Sequence, residues 1–354
     1  MAPANSTTHL SPAELSYLHT SLSSNPPIRP DARNATDFRP FSAETGVLPN
    51  TFGSAHVGFA DGREAVVGVR AEVEKTLRAH IPTAEEEEGD DVQMADSTAK
   101  TTNRHNQGRA SWVNLALTLS GLRDDDKDLI FLEEMLREVL VSPSSGQMSV
   151  SLQDSLVINS RWHWRLYIDV VLISPPSSSA TGGSYPLPLL SMAIHLALRD
   201  TRIPRLKSEG EEDPLADDDW EASRYLYVCK DSQTAMLQSV PPVTLLVTVT
   251  GDNTLFDPSE AELSVADAVF AVSIGRSQDN DTPTLLSMRT LETGARDTMR
   301  GVPNKDDTKE WEVVPGVWRP KIGGVKRTIL NKVLKEVLGE TGKDVLRDLG
   351  RFAI

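Results

Sequence analysis

A single cysteine in 354 residues, Cys229, excludes an internal disulfide and any cysteine-rich metal site. Its setting, "RYLYVCK", reads as a strand, so the thiol is expected to pack in a core. No apolar run approaches the roughly 20 residues that a membrane-spanning helix needs. The opening "MAPANSTTHLSPAEL" has neither the basic start nor the apolar centre of a secretion signal, so the chain is expected in the cytosol or nucleus. The seven histidines are scattered without HxH, HExxH or paired Cys/His spacing, which argues against a zinc site. Neither a GxSxG elbow nor a Walker loop occurs, and "GGSYP" is not GxGxxG. The common hydrolase and nucleotide-binding classes therefore lose their main supports.

Positive charge is also scarce, with a formal net charge of −15, but its distribution matters more than its sum. "EEEEGDD" at 85–91 holds six carboxylates and "EGEEDPLADDDWE" at 209–221 holds eight, with no Lys or Arg in either. Without these two runs the chain is nearly neutral, and both read as solvated, self-repelling loops. An apolar share of 39% and a charged share of 25% fit a globular protein long enough for two domains.

What is present is an orderly series of elements. "SPAELSYLHTSL" carries Ser11 as N-cap, Pro12 at the first helical position and Glu14 three residues after the cap. "AHVGFADGREAVVGVRAEV" predicts a hairpin with Asp61-Gly62 at the turn, where a positive φ is cheap. Residues 81–110 lack periodicity and read as an inserted loop before the strand "SWVNLALTLS". "DDDKDLIFLEEMLREVLVS" predicts a helix with Leu129, Leu132, Leu136, Val139 and Leu140 on one side. "DSLVINSRWHWRLYIDVVLIS" follows as one bent strand or two. Leu189, Leu190, Ala193, Ile194, Ala197 and Leu198 then give a helix with one apolar face for a sheet. After the acidic run the pattern starts again with "RYLYVCK", "PPVTLLVTVTG", "DAVFAVSIG" and "TLLSMRTLE", and closes on a helix over "GGVKRTILNKVLKEVLGE". Strands first and helix last, twice over, describe a duplicated α+β fold. The divisions expected are an N-terminal helix and arm (1–30), a first domain (31–206) with its insertion (81–110), an acidic linker (207–222) and a second domain (223–354).

Few residues offer chemistry. His195 sits beside Ile194 on the apolar helix and reads as packed rather than catalytic. Asp257, Glu260, Glu262 and Asp267 lie between two strands, as an Mg²⁺-binding or general-acid cluster or as a polar turn. The loop "SSSATGGSYP" runs from a strand end into a helix, the order in which many proteins hold phosphate. Phosphate capture needs free N–H groups and a nearby cation. Pro186 and Pro188 delete two N–H groups, and no Lys or Arg occurs between Arg165 and Arg199.

Several stretches together resemble the RNase PH-like subunits that form the hexameric ring of the RNA exosome, specifically the non-catalytic "forty-two" type. They are "IRPDARN", similar to the family's R-x-D-G-R with Ala32 in place of glycine, then "GSAHVGFADGREAVVGVRAEV", "WRLYIDVVLIS", "SMAIHLALRDTRIPRL" and "PPVTLLVTV". The resemblance covers nearly the whole chain in order, apart from the acidic insertions. It implies a first domain similar to the second domain of ribosomal protein S5, a smaller second α+β domain, and no cofactor or metal. Active relatives cleave RNA phosphorolytically from its 3′ end, with phosphate held by a Gly-Thr/Ser-Arg loop and an acidic residue in the second domain.

Two departures follow from that resemblance. The phosphate loop here, Gly182, Gly183 and Ser184, continues into Tyr185-Pro186 without the arginine. The acidic pattern E-D-S…A-D is degenerate as Glu262-Leu263-Ser264 and Ala266-Asp267. The resemblance thus implies a non-catalytic ring subunit that supports 3′-to-5′ RNA processing, including rRNA maturation and RNA turnover, by shaping the RNA channel; the alternative is an active phosphate-dependent exoribonuclease. Implied partners are the other RNase PH-like ring subunits, the RNA-binding cap subunits, an associated nuclease and single-stranded RNA, but no membrane. The implied location is nucleus and nucleolus, and also cytoplasm. Arg137 matches one of the channel arginines of archaeal relatives, with Glu133 at the other position and as its expected i, i+4 partner. Arg199, Arg202, Arg205 and Lys207 are expected at RNA or, preferentially, at a subunit interface.

Overall fold

The computed structural model describes residues 10–76, 108–141, 151–174, 183–208, 210–228, 235–277, 282–291 and 325–352. Helix α1 (Pro12–Ser23) is closed by the capping box read from its sequence: the Ser11 N–H donates to Glu14 Oε2 at 2.7 Å and the Glu14 N–H to Ser11 Oγ at 3.3 Å. The first sheet is built from β1 (Phe41–Thr45), β2 (Gly53–Phe59), β3 (Glu64–Lys75), β4 (Val113–Leu119) and β5 (Trp162–Leu172), in the order β1-β2-β3-β5-β4. Only β4 and β5 run parallel, and α2 (Lys127–Val141) connects them. A parallel pair needs such a crossover, and the apolar stripe of α2 covers the sheet on the way. The β2–β3 turn has Gly62 at φ +83°, as its Asp-Gly signature requires. The segment before β5 is a short helical turn at Leu152–Ser155, so the stretch read as one or two strands supplies only one.

Helix α3 (Pro186–Asp200) differs from expectation in a way that organises the molecule. It does not lay one face on one sheet; every residue from Leu187 to Arg199 is buried. A helix that is apolar all round belongs inside a core, and α3 lies between the two sheets. Ser191 Oγ accepts from the Thr244 N–H at 2.7 Å, and Asp200 Oδ2 accepts from the Ser54 N–H at 3.0 Å, so one helix is bonded to both halves. Leu187, Leu189, Leu190 and Leu196 are fully buried, each contributing about 1.5–3 kcal/mol relative to an exposed position. One large core runs through both halves as a result, beside a smaller cluster of Leu18, Leu22, Leu255 and Val265.

The second sheet contains β8 (Ser239–Thr250), β9 (Asn253–Phe256), β10 (Ala268–Ser277) and β11 (Thr284–Leu291), antiparallel in the order β11-β10-β8-β9. Nothing in the sequence signals strand β9, because four residues inside a polar stretch carry almost no period. "RYLYVCK" yields only the two-residue strand β7 (Arg224–Tyr225), paired to β6 (Arg202–Ile203), and Cys229 lies outside the described residues. The closing helix is also interrupted: α5 (Arg327–Glu336) gives way at Gly339, with φ −80° and ψ −142°, before α6 (Gly342–Phe352).

The acidic run at 209–221 is solvated as expected, with most of its residues exposed, but from Gly210 onward hydrogen bonds order it. The Lys207 N–H donates to Leu215 O and the Asp217 N–H to Arg205 O, both at 2.8 Å, so the run turns back along the basic segment before it. Asn159 Nδ2 donates to Glu212 O at 3.0 Å, Arg161 to Glu211 O at 3.0 Å and Trp162 Nε1 to Asp213 at 3.1 Å, which fastens it to the first sheet. Paired carboxylates and bonded backbone offset the self-repulsion that composition alone implies. The insertion at 81–110 lies outside the described residues up to 107.

Candidate functional site

Helix α4 (Glu260–Ser264), the start of α3 and the "IRPDARN" arm meet at the seam between the two halves. Gly183 O accepts from the Glu260 N–H at 2.9 Å and Ser184 forms a bridge with Ser259, so the phosphate-loop position docks directly on the acidic position. Gly182 lies outside the described residues.

The carboxylates there are each held by an arginine. Arg29 is fully buried, and its Nε and Nη2 both donate to Glu262 at 2.8 Å. The same guanidinium donates to Phe256 O and Asp257 O at 3.0 Å, which satisfies the fork of a planar cation. Glu262 in turn closes a capping box, with its Oε2 accepting from the Ser259 N–H at 2.8 Å. Burial would push the Arg29 pKa down, but Glu262, Asp31 and Asp257 outweigh it and keep the cation charged. Asp257 accepts from Arg33 Nη1 at 2.7 Å and faces Arg39 Nε at 3.1 Å, while Glu260 accepts from Arg63 at 2.6 Å.

Two residues where the arm meets the second half adopt left-handed backbone. Ala32 stands at φ 60°, so the alanine keeps the shape a glycine would favour at this position, at a cost of about 1–2 kcal/mol. Asp257 stands at φ 47°, which its short polar side chain tolerates better.

Asp267 is set apart from this array. It accepts from the Gly251 N–H at 2.8 Å, with His19 Nε2 at 3.9 Å from its other oxygen. Asp257, Glu260 and Glu262 are thus bonded to arginines with Asp267 apart from them, and among the described residues no group of three or more His, Cys, Asp or Glu is placed to hold a metal ion.

Asp61, at the β2–β3 turn, also reaches the seam. Its Oδ2 accepts from the Ser184 N–H at 2.9 Å and from Arg39 Nη1 at 2.6 Å, and its Oδ1 from the Arg63 N–H at 3.1 Å. Burial would raise this carboxyl, yet Ser184, the Arg63 N–H and Arg39 hold it below the usual carboxylate range. In the sequence Asp61 reads as turn chemistry; the "IRPDARN" pattern marks Arg29 and Arg33, while nothing there marks Arg39 and Arg63.

The basic candidates fare differently. Arg137 on α2 donates to Val113 O at 3.2 Å and Ala110 O at 3.0 Å and pairs with Glu134 at 3.3 Å, so its helix partner is Glu134 at i−3 and not Glu133. Arg199 is buried in the last turn of α3, which removes it from any surface contact the folded chain makes on its own. Arg202 stacks on Tyr225 at 4.4 Å and also bonds its hydroxyl. Arg205 is exposed, and Lys207 pairs with Asp217 at 2.9 Å. His195 is fully buried, with Nδ1 2.8 Å from Pro241 O; burial pushes its pKa down to about 3, so it packs as a neutral ring.

No protein-family model matches the chain. The exosome complex component RRP42 of Saccharomyces cerevisiae is 30% identical over 264 residues, covering 75% of this chain and 81% of that protein. The exosome complex component rrp42 of Schizosaccharomyces pombe is 28% identical over 273 residues, covering 76% and 79%. Two solved structures share the fold at 16% identity: an archaeal exosome core, TM-score 0.54, covering 95% of this chain and 96% of that one, and an Archaeoglobus fulgidus exosome with RNA bound to the active site, TM-score 0.55, covering 94% and 96%. The duplicated α+β architecture is thus that of exosome core subunits.

Proposed function

This chain belongs to the exosome component RRP42 family, and on that premise we propose that it fills one place in an RNase PH-like ring as a structural subunit without phosphorolytic activity of its own. The observation that supports it most is the buried Arg29–Glu262 pair. A carboxylate that accepts two guanidinium bonds and caps a helix has most of its roughly four acceptor sites in use and is fixed in place, which suits it poorly to move a proton or hold a cation. The phosphate-loop position adds to this reading, because the Ser184 N–H is given to Asp61.

Within such a ring the chain's partners are the neighbouring RNase PH-like subunits, with cap subunits, an associated nuclease and single-stranded RNA as further contacts. Work in rRNA maturation and RNA turnover would place it in nucleus, nucleolus and cytoplasm. Arg202 and Arg205 are read as interface residues, since their segment is already lined by the acidic run on one side. Arg137 keeps a part in the channel only through the share of its side chain left exposed, 25%.

The test uses the full chain, alone and with its ring neighbours, incubated with single-stranded RNA, inorganic phosphate and Mg²⁺. A complex with the mass of a closed ring, and no release of nucleoside diphosphates that depends on this subunit, is the expected result. Release that disappears in Asp267→Asn overturns the non-catalytic reading. A chain that stays monomeric beside its neighbours overturns the ring reading.

A further inference from the structure

Asp61 is surrounded by a donor set that a hairpin turn does not require. The Arg63 N–H at 3.1 Å is local, an aspartate bonding the backbone two residues on. The Ser184 N–H at 2.9 Å and Arg39 Nη1 at 2.6 Å are brought from elsewhere, 123 and 22 residues away in the chain. Two backbone N–H groups and a guanidinium converging on one group make an oxyanion cradle, the same chemistry by which proteins hold phosphate or carboxylate ligands. The Arg39 and Asp61 side chains are 9% and 19% exposed, so the cradle is largely desolvated yet opens to water at the carboxylate.

We propose that Asp61 is a tethered anion filling an oxyanion cradle at the seam, and that removing its carboxylate leaves a site for a free phosphate-class ion. The proposal rests on the reading of the chain as non-phosphorolytic and deepens it: the chain's own carboxylate occupies donors that a dissolved anion would otherwise take. Filling the cradle from within also ties the hairpin turn to the entry of α3, because one carboxylate bonds both.

Thermal unfolding of the full chain in increasing inorganic phosphate, with chloride at matched ionic strength as the control, tests this directly. The unmutated chain is expected to respond no more to phosphate than to chloride. Asp61→Ala is expected to melt lower and to recover saturably with phosphate, binding it about tenfold or more tightly than the unmutated chain does. Asp61→Asn, which still fills the space, should show no such recovery, and adding Arg39→Gln to Asp61→Ala should abolish it. Asp61→Ser is run beside the alanine variant, and if neither folds in plain buffer, refolding restored by phosphate supports the cradle. An equal response in the unmutated chain, no response in the alanine and serine variants, or a response that survives loss of Arg39 overturns it. Phosphate binding by the unmutated chain without turnover counts against the cradle alone, whereas turnover counts against the ring-subunit reading.

Discussion

The seam and the acidic hairpin both bring arginine or lysine against carboxylate, and they use the same chemistry for different ends. At the seam, Arg29 and Glu262 are 0% and 1% exposed and bonded twice over; in the acidic hairpin, Lys207 and Asp217 are 51% and 21% exposed and meet once. Water screens the second pair and cannot reach the first. A buried pair has lost its hydration, so removing one partner strands the other, while an exposed ion simply returns to solvent. The seam is therefore where loss of a charge costs stability, on top of the apolar core the halves share, and the hairpin is where charge is close to neutral in its effect.

The largest effect expected is from Arg29→Met, which leaves Glu262 buried without its cation. Denaturant unfolding should show a loss of about 3–5 kcal/mol. Asp61→Asn is next: it keeps the shape but not the charge, and should cost about 1–3 kcal/mol at neutral pH. Because the Asp61 carboxyl is held below its ordinary range, its contribution is present above the unfolded pKa and disappears as pH falls through the folded one. The unmutated chain should thus lose stability below about pH 4, and the gap between it and the Asn variant should narrow there, as measured by unfolding across pH. Ala32→Gly should stabilise by up to about 1 kcal/mol, since relief of the φ 60° strain exceeds the added freedom of the unfolded chain. Asp217→Asn should leave the melting midpoint unchanged, and a clear drop would erase the distinction between the two regions.

Local patterns in the sequence carried most of the elements. The Ser11–Glu14 cap, the Asp61-Gly62 turn and the stripe of α2 each depend on residues within a few positions of one another, so each was legible. His195 was legible as a packed residue because its neighbours are apolar. What the sequence could not show is pairing at long range: Arg29 and Glu262 are 233 residues apart, and nothing in either neighbourhood names the other. Composition shows that the acidic run is solvated but not what orders it, because its Lys207 and Asn159 partners come from outside the window that defines it. Arg199 reads as a contact residue on its charge, although it sits on α3, which both sheets enclose.

The central claim is that the carboxylate at the acidic position serves the fold. It is tested most directly by a double-mutant cycle on unfolding free energy with Glu262→Leu, Arg29→Met and both together. Each single variant should lose about 3–5 kcal/mol and the double should recover most of that loss, because no buried charge is then left alone. A Glu262→Leu chain as stable as the original, or more stable, would contradict the account, since that is the behaviour of a carboxylate kept under strain for chemistry.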